Sequence, residues 1–175
     1  MSKKKKSPAE KQLAHGEAGY LCDDGCEHSD DPHHRDDDHD HLVHEAPDAG
    51  GIYLISLSSA VQRPEALTLA CERLQAHGFA TRVDRNALAV HQRFAGTDKQ
   101  RLAALGRALV QKHSIVMATR GGYGLSRLLP HIDWKAVADS GKRFVGMSDF
   151  TAFNLALLAQ TGTVSYTGAS AIADF

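Results

Sequence analysis

Hydrophobic positions along the chain fall into two regimes that meet near Ala49-Gly50-Gly51. Ahead of that point carboxylates and histidines dominate, with Leu42-Val43 as an isolated aliphatic pair. Such a segment cannot bury enough apolar area to offset its ordering entropy, so 1–50 is expected to be largely disordered. Beyond it, strand-like and helix-like stretches alternate. Ile52-Tyr53-Leu54-Ile55-Ser56-Leu57 is a short apolar run of the kind that forms a buried parallel strand. Pro64 to His77 follows with Leu67, Ala70, Leu74 and His77 at helical spacing, and Gly78 stands at the stop. Phe79 to Val83 reads as a second strand. Thr97-Asp98 can cap a helix through Lys112 whose apolar face carries Leu102, Leu105, Leu109 and Val110. Ser114 to Thr119 is a third strand. A polar turn region then leads to a fourth, Arg143-Phe144-Val145-Gly146-Met147, followed by a helix from Thr151 to Gln160 and a fifth strand from Thr163 to Tyr166.

Strands separated by helices of this length imply right-handed crossovers. The predicted fold class is therefore α/β, a mainly parallel sheet with helices on both faces (Rossmann-like or flavodoxin-like), occupying 51–175 behind the tail. In such sheets ligands bind beyond the carboxyl ends of the strands, so chemistry is sought there.

Composition narrows the partners. In 175 residues, 42% hydrophobic, one core can form, and a formal net charge of −1 calls for neither nucleic acid nor an anionic membrane surface. No segment approaches the ~18 apolar residues of a membrane span. Polar residues from Ser7 to Gln12 follow the basic start, so no signal peptide is read. Three cysteines, an odd number, fit a reducing compartment, and the expected location is cytoplasmic.

Two strand ends carry unusual residues. The third strand runs into Arg120-Gly121-Gly122-Tyr123-Gly124, whose glycines permit tight turns and free amide N–H groups, or simply make a connection. It lacks the Gly-Lys-Ser/Thr ending of a P-loop and the glycine spacing of a dinucleotide fingerprint. The fourth strand runs into Gly146-Met147-Ser148-Asp149-Phe150-Thr151. A serine two residues after a glycine, between strand and helix, is the setting of a nucleophile elbow, although Phe150 stands where the pattern's last glycine belongs. The residues alone equally allow Ser148 or Asp149 to cap the helix.

Together, Arg120 to Pro130 with Ile132-Asp133-Trp134, then Phe144 to Ala152, resemble the LD-carboxypeptidase family of murein tetrapeptide carboxypeptidases and microcin-immunity peptidases. Phe94-Ala95-Gly96-Thr97-Asp98 with Arg101 resembles the same family's segment before the second helix. The resemblance covers Ile52 to Phe175. It implies that Ser148 is the nucleophile, that the amide of Asp149 and an amide of Gly121 or Gly122 form an oxyanion hole, and that no cofactor is required. It implies a muropeptide or other peptide substrate, allows a homodimer, and puts the triad's glutamate and histidine in a C-terminal domain that would begin after Phe175. On that expectation the chain is a truncated enzyme, inactive alone. Ser56-Leu57-Ser58-Ser59 lacks the proline usual after the first strand, and Tyr166-Thr167-Gly168-Ala169 replaces a typical His-Gly-Pro. Within the domain, His113 and His131 are expected at the surface, away from Ser148.

The tail supplies the alternative. Cys22, Cys26, His28, His33, His34, His39, His41 and His44 are interleaved with aspartates, and imidazole and thiolate suit zinc, nickel or copper. Their spacing matches no closed tetrahedral module, and a solvated spacer is the plainer expectation. The rival function is a metal-binding protein that acts through this tail.

Overall fold

The computed structural model describes residues 50–175. The tail, and with it the cysteines and histidines considered as metal ligands, lies outside the described residues. The described part contains β1 (Ile52–Ile55), α1 (Pro64–Ala76), β2 (Thr81–Val83), α2 (Asp98–Leu109), β3 (Ile115–Ala118), α3 (Trp134–Asp139), β4 (Arg143–Gly146), α4 (Thr151–Thr161), β5 (Tyr166–Thr167) and α5 (Ala171–Asp174). The strands form one parallel sheet in the order β2-β1-β3-β4-β5, the flavodoxin-type arrangement, with Ile52 opposite both Thr81 and Ile115.

Alternation along each strand sorts its side chains into two cores. Tyr53, Ile55, Val116, Ala118 and Phe144 join one core with Leu105 of α2, Val137 of α3 and Phe153 and Leu157 of α4. Ile52, Leu54 and Met117 point the other way, to Leu67, Ala70 and Leu74 of α1 and Ala171 of α5. Helices thus cover both faces, as the alternating pattern predicts. α2 opens on a reciprocal capping box, in which Gln100 N–H donates to Thr97 Oγ1 at 3.2 Å and Thr97 N–H donates to Gln100 Oε1 at 2.8 Å.

The differences from the sequence-based expectation have local causes. α2 stops at Leu109 and Val110 stands 82% exposed, because the buried face is Arg101, Ala104, Leu105 and Ala108, with Leu102 and Leu109 only partly covered. His77 caps α1 at its exposed end instead of extending its buried face. β5 is shorter and later than expected, since pairing with Val145 and Gly146 begins only at Tyr166. The polar turn region holds α3 and two short 3-10 turns, Leu125–Arg127 and Leu129–His131, too brief to leave a helical period. α5 is likewise only four residues and unannounced in the pattern.

His113 is the clearest correction. It is buried, not superficial, packed against Gly51 and 5.9 Å from the Tyr53 ring, with Nδ1 unpartnered. Burial first, then the charges of Lys112, Arg82 and Lys142, push its pKa below the ordinary value. It lies just ahead of β3, at the sheet end opposite the strands' carboxyl termini. His131 is exposed, as expected.

Candidate active site

β4 delivers the chain to Met147 in extended conformation, and Ser148 then turns to φ +59° before the helical backbone begins. Among described non-glycine residues only Gln92, in a surface turn, shares a positive φ. The left-handed region costs a serine on the order of 1–3 kcal/mol, and such outliers persist where surrounding contacts hold them. Here they do. The Phe150 N–H donates to Met147 O at 3.1 Å, and the Phe150 ring is fully buried, stacked 4.9 Å from Phe153. That ring occupies the space above Gly146, where any Cβ would come within 2.6 Å of it. The missing last glycine of the elbow pattern is thereby explained: Phe150 is the wedge that sets the turn.

The loop after β3 lies against the elbow. A Cβ on Gly121 would stand 2.7 Å from Ser148 Cβ and 2.9 Å from Ser148 Oγ, so only glycine lets the two loops approach. Neither the Gly121 nor the Gly122 N–H donates to a backbone carbonyl among the described residues. The loop is fastened on the other side by Ser59, whose Oγ accepts the Tyr123 N–H at 3.0 Å.

Two charged side chains hold this arrangement. Asp149 does not cap its own helix; its Oδ2 accepts the Leu125 N–H at 3.0 Å and so ties the elbow to the end of the glycine loop. Arg101, fully buried, donates through Nη1 to Leu57 O (2.6 Å) and Gly124 O (3.0 Å) and through Nη2 to Asp98 (2.5 Å), with its guanidinium 5.0 Å from the Phe94 ring centre. The Arg127 guanidinium, the leading influence, and that of Arg101 hold the Asp98 carboxyl below its ordinary pKa against a smaller desolvation effect. The positioning roles of the Arg101 and Asp149 side chains are not evident from residue type. Beyond the family-like segment that includes Arg101, a signal is its spacing to Leu105 and Ala108, which puts it on the buried face of α2.

Ser148 opens on a cleft of about 390 Å³ built from four strand ends: Arg63 and Ala66 after β1, Arg120 and Gly121 after β3, Met147 after β4, and Ser170 after β5. The cleft thus sits beyond the carboxyl ends of the strands, and it brings Ser148, Gly121 and Gly122 together, with Asp149 next along the chain. Sequence reasoning did not single out the contributions of Arg63 and of the α5 segment to its wall. None of the described histidines lines this cleft. His131 borders a separate groove between α2 and α3, and His91 one beside Asp98 and Arg127.

The fold and site define a flavodoxin-ordered α/β domain that carries a strained serine at the carboxyl edge of its sheet. Residues 52–168 match the family model described as the LD-carboxypeptidase N-terminal domain, and the chain belongs to that family. It is 34% identical over 107 residues to the murein tetrapeptide carboxypeptidase of Pseudomonas aeruginosa, covering 60% of this chain and 34% of the relative. The solved muramoyltetrapeptide carboxypeptidase from Oxalobacter formigenes superimposes with a TM-score of 0.65 at 37% identity, over 71% of this chain and 42% of that one. An MccF-like protein from Bacillus anthracis gives a TM-score of 0.67 at 28% identity, over 71% and 39%. The match thus spans less than half the length of each relative. Among the described residues no helix is long and apolar enough to cross a membrane.

Proposed function

We propose that this chain is the nucleophile-bearing part of a serine LD-carboxypeptidase that releases a terminal D-amino acid, D-alanine, from muropeptide tetrapeptides in peptidoglycan recycling, with the cytoplasm as its compartment. The observation that carries the proposal is Ser148 itself, held at positive φ over the cleft with Gly121 packed against its side chain. The higher identities to the tetrapeptide carboxypeptidases than to the MccF-like protein favour the murein substrate.

In this reading Ser148 Oγ attacks the carbonyl that precedes the terminal D-residue. The oxyanion is met by backbone N–H groups of Asp149 and of Gly121 or Gly122. The C–N bond breaks, the amine leaves with the proton taken from the hydroxyl, and water then hydrolyses the acyl-serine. A base must carry that proton. With none of the described histidines at the cleft, the glutamate and histidine of the triad are proposed to come from a further domain, which the unmatched length of the relatives can accommodate.

The test fuses the corresponding C-terminal segment of the Pseudomonas relative after Phe175 and follows D-alanine release from a tetrapeptide. The chain alone should give no turnover, the fusion should give turnover, and Ser148→Ala should reduce it by about a thousandfold or more. A fusion that retains full activity with Ser148→Ala overturns the proposal.

A further inference from the structure

The cleft at Ser148 carries charge of one sign. Its wall includes two arginines, Arg63 at the N-cap of α1 and Arg120 just beyond β3, which also borders the neighbouring groove with Ala60, and no carboxylate lines the cleft among the described residues. The neighbouring acids are otherwise placed. Asp174 accepts the Ser170 N–H at 2.8 Å, and Glu65 stands in the exposed first turn of α1, outside the lining. Arg120 is anchored through one nitrogen only, Nη1 donating to Ala60 O at 3.1 Å, so its other N–H groups make no hydrogen bond to described residues. Arg63 forms no ion pair among them. α1, thirteen residues long, begins beside them with no side-chain cap, adding its positive end to the same wall.

A planar guanidinium with free N–H groups matches a carboxylate better than it matches a neutral amide. A peptide attacked one residue from its end must place its terminal carboxylate within about one residue's length, ~3.5 Å, of the reacting carbonyl. We propose that Arg63 and Arg120 clamp the free α-carboxylate of the substrate's last residue, so that this pair selects a chain end over an internal bond. The proposal rests on the reading of Ser148 as nucleophile and adds the group that determines where along the peptide the attack falls.

Amide chemical shifts of the intact chain, titrated with an acetylated peptide ending in L-lysyl-D-alanine and with its C-terminal amide, test the clamp. The acid should perturb Ala66, Gly121 and Gly122 and bind about tenfold or more tighter than the amide. Arg120→Gln and Arg63→Gln, each checked for unchanged thermal unfolding, should bring the two peptides to within about threefold of each other, and Arg120→Lys should fall between. Equal binding of acid and amide, no perturbation at the cleft by either, or a preference that survives both Gln variants would overturn the clamp. D-alanine release by the fused chain reads the nucleophile separately. Release that depends on Ser148, together with acid–amide parity, sinks the clamp alone. A carboxylate-dependent cleft in a fusion indifferent to Ser148→Ala sinks the nucleophile assignment alone.

Discussion

The Asp149 carboxylate accepts the Leu125 N–H at 3.0 Å, joining two segments that are 24 residues apart in the chain and both border the Ser148 turn. The side chain next to the proposed nucleophile is therefore a strut between two loops, while its backbone N–H is the part proposed to meet an oxyanion. Asp149→Ala should lower stability by about 1–2 kcal/mol, because it leaves the Leu125 N–H without its partner. Asp149→Asn, which keeps an acceptor oxygen, should cost less. Urea unfolding of both variants checks this; equal costs would mean that the strut contributes nothing specific.

Gly121 faces a stricter test. Gly121→Ala puts a methyl group 2.7 Å from Ser148 Cβ, so one of the two loops has to move. The expected cost is about 1–3 kcal/mol, with D-alanine release by the fused chain falling at least tenfold. Full activity in that variant would show that the close approach is incidental.

Arg101 is fully buried and bonded to Leu57 O, Gly124 O and Asp98. Arg101→Met fills much of the volume but strands two buried carbonyls, at a cost of about 2–4 kcal/mol. Asp98 should suffer less, since Arg127 also holds it at 2.8 Å. Equilibrium unfolding measures the loss; a variant within about 0.5 kcal/mol of the parent would refute the structural role.

Acid sensitivity should start near neutrality. His113 has a folded pKa below its ordinary 6.5, chiefly through burial. The unfolded chain then takes up the proton first, so this contribution is complete above about pH 6.5 and is lost as pH falls toward the folded value. Asp84 acts at lower pH. Burial pushes its carboxyl up, but the bonds from Arg107, Tyr53 and the Asn86 N–H outweigh that and hold it below 3.8, so its contribution disappears as pH falls through the folded pKa. Between pH 7.5 and 5, the denaturation midpoint of the parent should fall relative to that of His113→Phe. Parallel curves would refute the assignment.

Much of this protein is determined by the sequence itself. Apolar runs that alternate with helical stretches dictate a parallel sheet covered on both faces, because strands apolar on both sides, such as Ile52–Ile55, need partners on each face. The glycine run at 120–124 and the Gly-x-Ser turn at 146–148 are legible as a pair because their chemistry is local. What tertiary structure alone decided is everything that depends on which distant atoms meet. No local pattern announces that Phe150 fills the space above Gly146, that Gly121 must lack a Cβ to pass Ser148, or that Asp149 reaches Leu125. Nor does one show that Arg63 and Arg120 share the Ser148 cleft, although 57 positions separate them. His113 makes the same point in reverse: a polar residue ahead of a strand looks superficial until Gly51 and Tyr53 close over it. Periodicity records the direction in which each side chain points, whereas burial and contact depend on what the strand order brings opposite.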